Sequence, residues 1–151
     1  AINTYIPQSK FIPILKEELT QTIEEKEEWI NSFLEFNNSL LLVVEFNNEI
    51  IGNIDLTGSR RRIMENTALI GMGVLEEWRN SGLGTVLISL LIEWAYKNPI
   101  LELLWLQVYT DNELGLGLYR KMGFVENGVI KDFFKQNNQY FDNLTMSKSV
   151  K

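Results

Sequence analysis

The chain has no cysteine and no histidine among its 151 residues. It therefore has no disulfide, no cysteine nucleophile, no histidine-based triad and no zinc site of the His/Cys kind. Acid–base work falls to Tyr, Asp, Glu, Lys or water, and no metal is expected. Positive charge is also short: 14 Lys and Arg stand against 20 Asp and Glu, a net charge of −6. Nucleic acid and anionic membrane surfaces need a basic footprint, so neither is expected as a partner. No apolar run reaches the length of a membrane span and no export signal is visible, which sets the expectation of a cytoplasmic protein. Proline is limited to three residues. Two of them, Pro7 and Pro13, exclude one long regular element across residues 1–16. What remains is ordinary for a globular chain, with 45% hydrophobic and 23% charged residues, and its length suits one domain over 1–151.

The most informative stretch runs from Gly71 to Lys97. It reads as a strand, a turn rich in backbone donors, and a long helix. Apolar Leu83, Val86, Leu87, Leu90, Leu91, Trp94 and Ala95 recur at helical spacing, and Asn98-Pro99 stops the helix. The turn before it is Arg79-Asn80-Ser81-Gly82-Leu83-Gly84-Thr85. A helix start leaves amides without internal partners and carries partial positive charge. Gly82 and Gly84 let a ligand approach that backbone. The combination fits a pyrophosphate, although a short GxG is equally the mark of an ordinary tight turn.

Elsewhere, Thr20 to Phe36 reads as a helix capped by Thr22 with Glu25 three residues on. Ile23, Trp29, Ile30, Phe33 and Leu34 form its expected apolar face. Leu40–Phe46 and Ile50–Thr57 read as strands around the hairpin signal Asn47-Asn48-Glu49. The loop carrying Arg60, Arg61 and Arg62 reads as solvated. Thr67–Leu75 is a strand with Gly71 and Gly73 on one face, which points to close approach by a backbone or a ligand. Leu101–Tyr109 is another strand. A short helix from Asn112 to about Met122 contains Gly115 and Gly117, each costing about 1 kcal/mol against alanine. Phe124–Ile130, Lys131–Lys135 and Tyr140–Lys148 read as closing strands, with a hairpin turn at Gln136-Asn137-Asn138-Gln139.

Arg79-x-x-Gly82-x-Gly84 between strand and helix resembles the pyrophosphate motif of the GCN5-related N-acetyltransferases. Asn112 followed by Tyr119-x-Lys121-x-Gly123-Phe124 resembles that family's second signature, in the family's order and at about its spacing. The resemblance implies an α/β (α+β) fold: a mixed, mostly antiparallel sheet with helices on both faces and a cleft between two central strands that splay apart. It implies acetyl-CoA as co-substrate and a primary amine as acceptor, whether small molecule, polyamine or protein N-terminus. The tail from Phe134 to Met146 resembles the branch acting on such amines. Dimers are common in that family. The family's first strand and helix are expected to be short or missing here.

Carried over position by position, the resemblance places the pantetheine arm along Met72, Gly73, Val74 and Leu75, with one strand amide near Gly73 or Val74 polarising the thioester carbonyl. It places the pyrophosphate on Arg79, Asn80, Ser81, Gly82, Leu83, Gly84 and Thr85, and gives Asn112 a bond to the coenzyme beside its cap role. Tyr119 becomes the general acid for the leaving thiolate. Relatives with a glutamate on the Gly71 strand have no counterpart here, since no acidic residue lies between Ala68 and Leu75. Deprotonation is left open among a water chain, a residue elsewhere such as Glu45, Asp55 or Asp142, and a substrate that arrives neutral. A non-catalytic acyl-CoA-binding module of the same fold is the alternative reading.

Overall fold

The structure is a computed structural model and describes residues 21–151. The reading of residues 1–16 lies outside them. The first described helix, α1 (Ile23–Glu35), begins where the capping pattern places it. Thr22 Oγ1 accepts from Glu25 N at 3.2 Å, and Glu25 Oε2 accepts from Thr22 N at 2.8 Å. Such a reciprocal cap is worth about 1 kcal/mol. Its apolar face is narrower than the sequence pattern implies. Phe33 is buried and meets Trp29 edge-on at 5.0 Å, while Ile23, Ile30 and Leu34 are exposed.

Six strands follow: β1 (Leu40–Phe46), β2 (Glu49–Gly58), β3 (Thr67–Val74), β4 (Leu103–Tyr109), β5 (Val125–Gln136) and β6 (Gln139–Ser149). They form one sheet in the order β1-β2-β3-β4-β6-β5, antiparallel except at the β3–β4 pair. Both hairpin turns are Asn-Asn. Asn47, Asn48, Asn137 and Asn138 all have positive φ. That is the conformation a two-residue hairpin of the right twist needs, and asparagine tolerates it better than most side chains. The two segments expected at 124–135 are one strand, β5, bent by irregularities between Glu126 and Gly128 and between Ile130 and Phe134.

Helix α2 (Leu83–Lys97) lies between β3 and β4 in the chain, and α3 (Glu113–Lys121) between β4 and β5. The even-numbered residues Ile54, Leu56, Ala68, Ile70, Leu104, Leu106, Leu144 and Met146 of four strands join Leu87, Ile88, Leu91 and Ala95 of α2 and Leu116 of α3 in the main core. The face α2 buries differs from the expected one. Val86 and Leu90 are 54% and 49% exposed, and Ile88 and Ile92 take the inward places. The run Val86-Leu87-Ile88 followed by Leu90-Leu91-Ile92 satisfies helical periodicity in two adjacent registers, so packing makes the choice. Among the described residues no helix is long and apolar enough to cross a membrane.

Candidate active site

The parallel contact between β3 and β4 is short. It pairs Thr67 with Leu103, Ala68 with Leu104 and Leu69 with Trp105, and ends there. Both strands continue. β3 stays on β2 as far as Val74 opposite Gly52, and β4 stays on β6 as far as Tyr109 opposite Asn143. The sheet therefore divides into two halves, and the gap widens toward the C-terminal ends of β3 and β4. This is the splaying that the sequence resemblance implied.

Strand geometry decides which backbone groups face the gap, because the N–H and C=O of successive residues point to opposite neighbours. On the β2 side, Ser59 N donates to Thr67 O at 3.0 Å and Leu75 N donates to Ile51 O at 2.9 Å. On the other side, Leu103 N donates to Asn66 O at 3.1 Å. Odd-numbered residues of β3 thus turn their polar groups to β2, and even-numbered ones to the gap. Met72 and Val74 present theirs to the gap. Gly73 and Leu75 turn theirs to β2, and the Leu75 side chain is buried against Ile51.

The turn after β3 closes the wide end of the gap. Asn80 and Gly82 have φ of 60° and 85°. At Gly82, the N-cap of α2, a β-carbon would be strained whatever the space. The first intrahelical bond of α2 is Val86 N to Gly82 O at 3.1 Å, so the amides of Leu83, Gly84 and Thr85 precede it. Ser81 Oγ takes a long 3.4 Å bond from Leu83 N and donates to Trp78 O. Arg79, half-buried, donates from Nε to Val74 O at 3.2 Å. Its guanidinium is thereby pinned to the edge of β3, a few residues before the helix start. The arginines at 60–62 follow the opposite end of β2, and Arg60 lies over the Phe36 ring at 4.3 Å.

Gly84 marks where three elements meet. A β-carbon there would stand 3.4 Å from Leu118 Cδ2 of α3 and 3.7 Å from Met72 Cε of β3. Tyr119 follows Leu118. It packs against the main core, and its ring meets Phe124 at 5.9 Å. Burial pushes its phenol up to about 12. Asn112 caps α3, its Oδ1 accepting from Gly115 N at 3.0 Å. That explains Gly115 from within the chain, since a β-carbon would come 2.6 Å from Asn112 Nδ2. Gly117 has nothing within 4 Å of that position.

The base candidates separate. Glu45 is exposed, and Asp142 Oδ1 accepts from Asp132 N at 2.9 Å in the bent part of β5. Asp55 is half-buried, directly across from Gly71, and burial pushes its carboxyl up to about 7. Sequence reading overlooked an aromatic wall at the β4 side of the gap, where Tyr109 stacks on Phe134 at 4.1 Å and meets Phe141 at 5.6 Å. Its sequence signal is faint, because Phe134 and Phe141 come together only through the β5–β6 pairing. No group of acidic, His or Cys side chains among the described residues is arranged to hold a metal.

Comparison with known proteins agrees with this geometry. The profile described as "Acetyltransferase (GNAT) family" matches residues 9–124. The chain is 25% identical over 107 residues to the L-amino acid N-acetyltransferase AaaT of Escherichia coli, covering 71% of this chain and 66% of that protein. It thus spans about two thirds of that relative's length. The crystal structure of an acetyltransferase of the GNAT family from Streptococcus pneumoniae superposes with a TM-score of 0.90 at 27% identity, over 95% of this chain and 86% of that one. YncA of Salmonella typhimurium, a putative acetyltransferase solved with acetyl-CoA, shares the fold at 16% identity and a TM-score of 0.87, over 99% and 84%.

Proposed function

Because the chain belongs to the acetyltransferase (GNAT) family, we propose that it transfers the acetyl group of acetyl-CoA to a primary amine, by direct attack within a ternary complex. The observation that carries the reading is the parting of β3 from β4 beyond Leu69 and Trp105, with strand amides facing the gap and a helix start at its mouth.

The arm of the coenzyme pairs with the exposed edge of β3 as an added strand would. Met72 and Val74 supply the amides on that side. One of them, aimed in advance at the thioester carbonyl, stabilises the oxyanion as it forms. Leu83, Gly84 and Thr85 offer amides to the pyrophosphate, Asn80, Ser81 and Gly82 shape the turn, and Arg79 adds charge. Asn112 stands at the start of the adjoining helix, with its side-chain oxygen committed to the cap and its Nδ2 amide left to donate.

Tyr119 serves the leaving sulfur. A phenol near 12 is fully protonated at working pH, so it is always ready to donate. An ordinary thiol titrates near 8.5, so complete transfer from this phenol would be uphill by roughly 5 kcal/mol. Its part is a hydrogen bond that strengthens as the C–S bond breaks, with the proton supplied in the end by the amine or by water.

Thermal unfolding with millimolar acetyl-CoA, beside desulfo-CoA and NAD, tests the reading. Ligand at about 100 times its dissociation constant stabilises by roughly 2.7 kcal/mol, a rise of several degrees. A rise with acetyl-CoA and none with NAD, followed by thiol release in the presence of primary amines, is the expected result. Absence of any rise would sink the coenzyme site. A rise without thiol release on any amine would leave an acyl-CoA-binding module.

A further inference from the structure

Asp55 stands in the middle of β2, paired with Leu41 of β1 on one side and Gly71 of β3 on the other. Its carboxylate leans over β3, toward the gap. A β-carbon on Gly71 would come 2.8 Å from Oδ1 and 3.0 Å from Oδ2. The glycine is thus what makes room for the carboxylate. No hydrogen bond or ion pair joins Asp55 to another described residue. On the same face its neighbours are Asn53 and Thr57 on β2, Leu41 and Val43 on β1, and Leu69 and Gly73 on β3, none of them charged. The nearest acidic side chains of these strands, Glu45 and Glu49, flank the exposed β1–β2 turn. Beyond the other end of β2, Arg60 is held over Phe36. A carboxylate half out of water costs stability, and among the described residues no partner recovers that cost. Groups left in that condition beside a cleft are candidates for work on a ligand.

The side it faces is informative. Gly71 precedes Met72, whose amide faces the gap, and the α2 face of β3 is filled by Met72 against Gly84 and Leu118. On the opposite face of the sheet Gly71 and Gly73 carry no side chain, and the Asp55 carboxylate leans in over Gly71. We infer that Asp55 receives the acceptor amine: its carboxylate anchors the ammonium over Gly71 and takes its proton before attack.

This inference rests on the acetyl-transfer reading. R–NH3⁺ gives one proton to the Asp55 carboxylate, and the freed lone pair attacks the thioester carbonyl to form the C–N bond. As the tetrahedral species collapses, the C–S bond breaks. The second proton passes from nitrogen to the thiolate, directly or through Tyr119 and water. Asp55 then releases its proton to solvent, so the products are the amide, the thiol and one H⁺. The site selects an acceptor that arrives as a cation, such as an alkyl primary ammonium. A base that titrates at about 7 takes and returns a proton readily at neutral pH.

The test is Asp55→Asn, assayed from pH 5.5 to 9 with an alkylamine and with trifluoroethylamine, which arrives largely neutral. The expected result is a loss of kcat/KM of roughly 100-fold for the alkylamine at pH 7 and a much smaller loss for trifluoroethylamine. The acid limb near pH 7 should disappear, and the acetyl-CoA melting shift should be unchanged. Gly71→Ala, which displaces the carboxylate without removing it, should mimic the loss and add little to it in the double variant. Equal kcat/KM and an unchanged acid limb in Asp55→Asn would overturn the role of Asp55 alone. Wild-type protein that binds acetyl-CoA but acetylates no amine would overturn the transfer reading, and this inference with it.

Discussion

Asp55→Asn makes a second prediction that needs no substrate. An ordinary aspartate titrates near 3.9, and burial holds Asp55 at about 7. Between those values the folded chain keeps a proton that the unfolded chain has lost. Stability therefore falls as pH rises through that window and levels off above it. At about 1.36 kcal/mol per unit, the full loss is roughly 4 kcal/mol, of which roughly 2.5 kcal/mol falls between pH 5 and pH 8. Asparagine cannot titrate, so that share is absent from the variant. Melting temperatures of both proteins at pH 5 and pH 8 give the comparison. Differencing the two removes every other titrating group, and also any fixed cost of packing the asparagine. For a domain of this size each kcal/mol moves the midpoint by about 2–4 °C. The gap between variant and wild type should thus shift by roughly 5–10 °C in the variant's favour from pH 5 to pH 8. Parallel melting curves would refute the reasoning, because they would mean that Asp55 is solvated or already paired. If the gap shifts as expected, Asp55 is a cost to stability, and an ammonium bound beside it should narrow the difference.

Two further outcomes follow from the site. Tyr119→Phe should keep the acetyl-CoA melting shift and lower kcat by roughly 100-fold, without altering the pH profile below about pH 10, since the phenol titrates near 12; unchanged turnover would remove Tyr119 from the reaction. Arg79→Ala should weaken acetyl-CoA binding by about 1.5–3 kcal/mol, the scale of a charged hydrogen bond, and should weaken desulfo-CoA equally because the loss lies at the pyrophosphate; an unchanged dissociation constant would leave Arg79 as a clasp on Val74 only.

Much of this architecture is local and was legible in the chain. The capping box at Thr22 and Glu25 fixes where α1 starts, because cap and cap partner lie three residues apart. The Asn-Asn turns fix two hairpins, since few other pairs accept positive φ twice in succession. Arg79, Gly82 and Gly84 fix the turn before α2, and Asn112 fixes the start of α3. What sequence left undetermined depended on neighbours distant in the chain. The buried face of α2 was ambiguous because its apolar run allows two registers, and only the sheet beneath it selects Ile88 over Val86. Alternation along β3 could be counted, but which set of amides faces the gap is decided by where pairing with β4 ends. Asp55 read as one of three open candidates. Its carboxylate acquires meaning only when antiparallel pairing sets it opposite a glycine. Sequence alone determined most of the elements, their caps and the glycine turn before α2, because those depend on contacts within a few residues. The tertiary structure decided the gap, its facing amides and the place of Asp55 over Gly71, because each depends on which strand lies beside which.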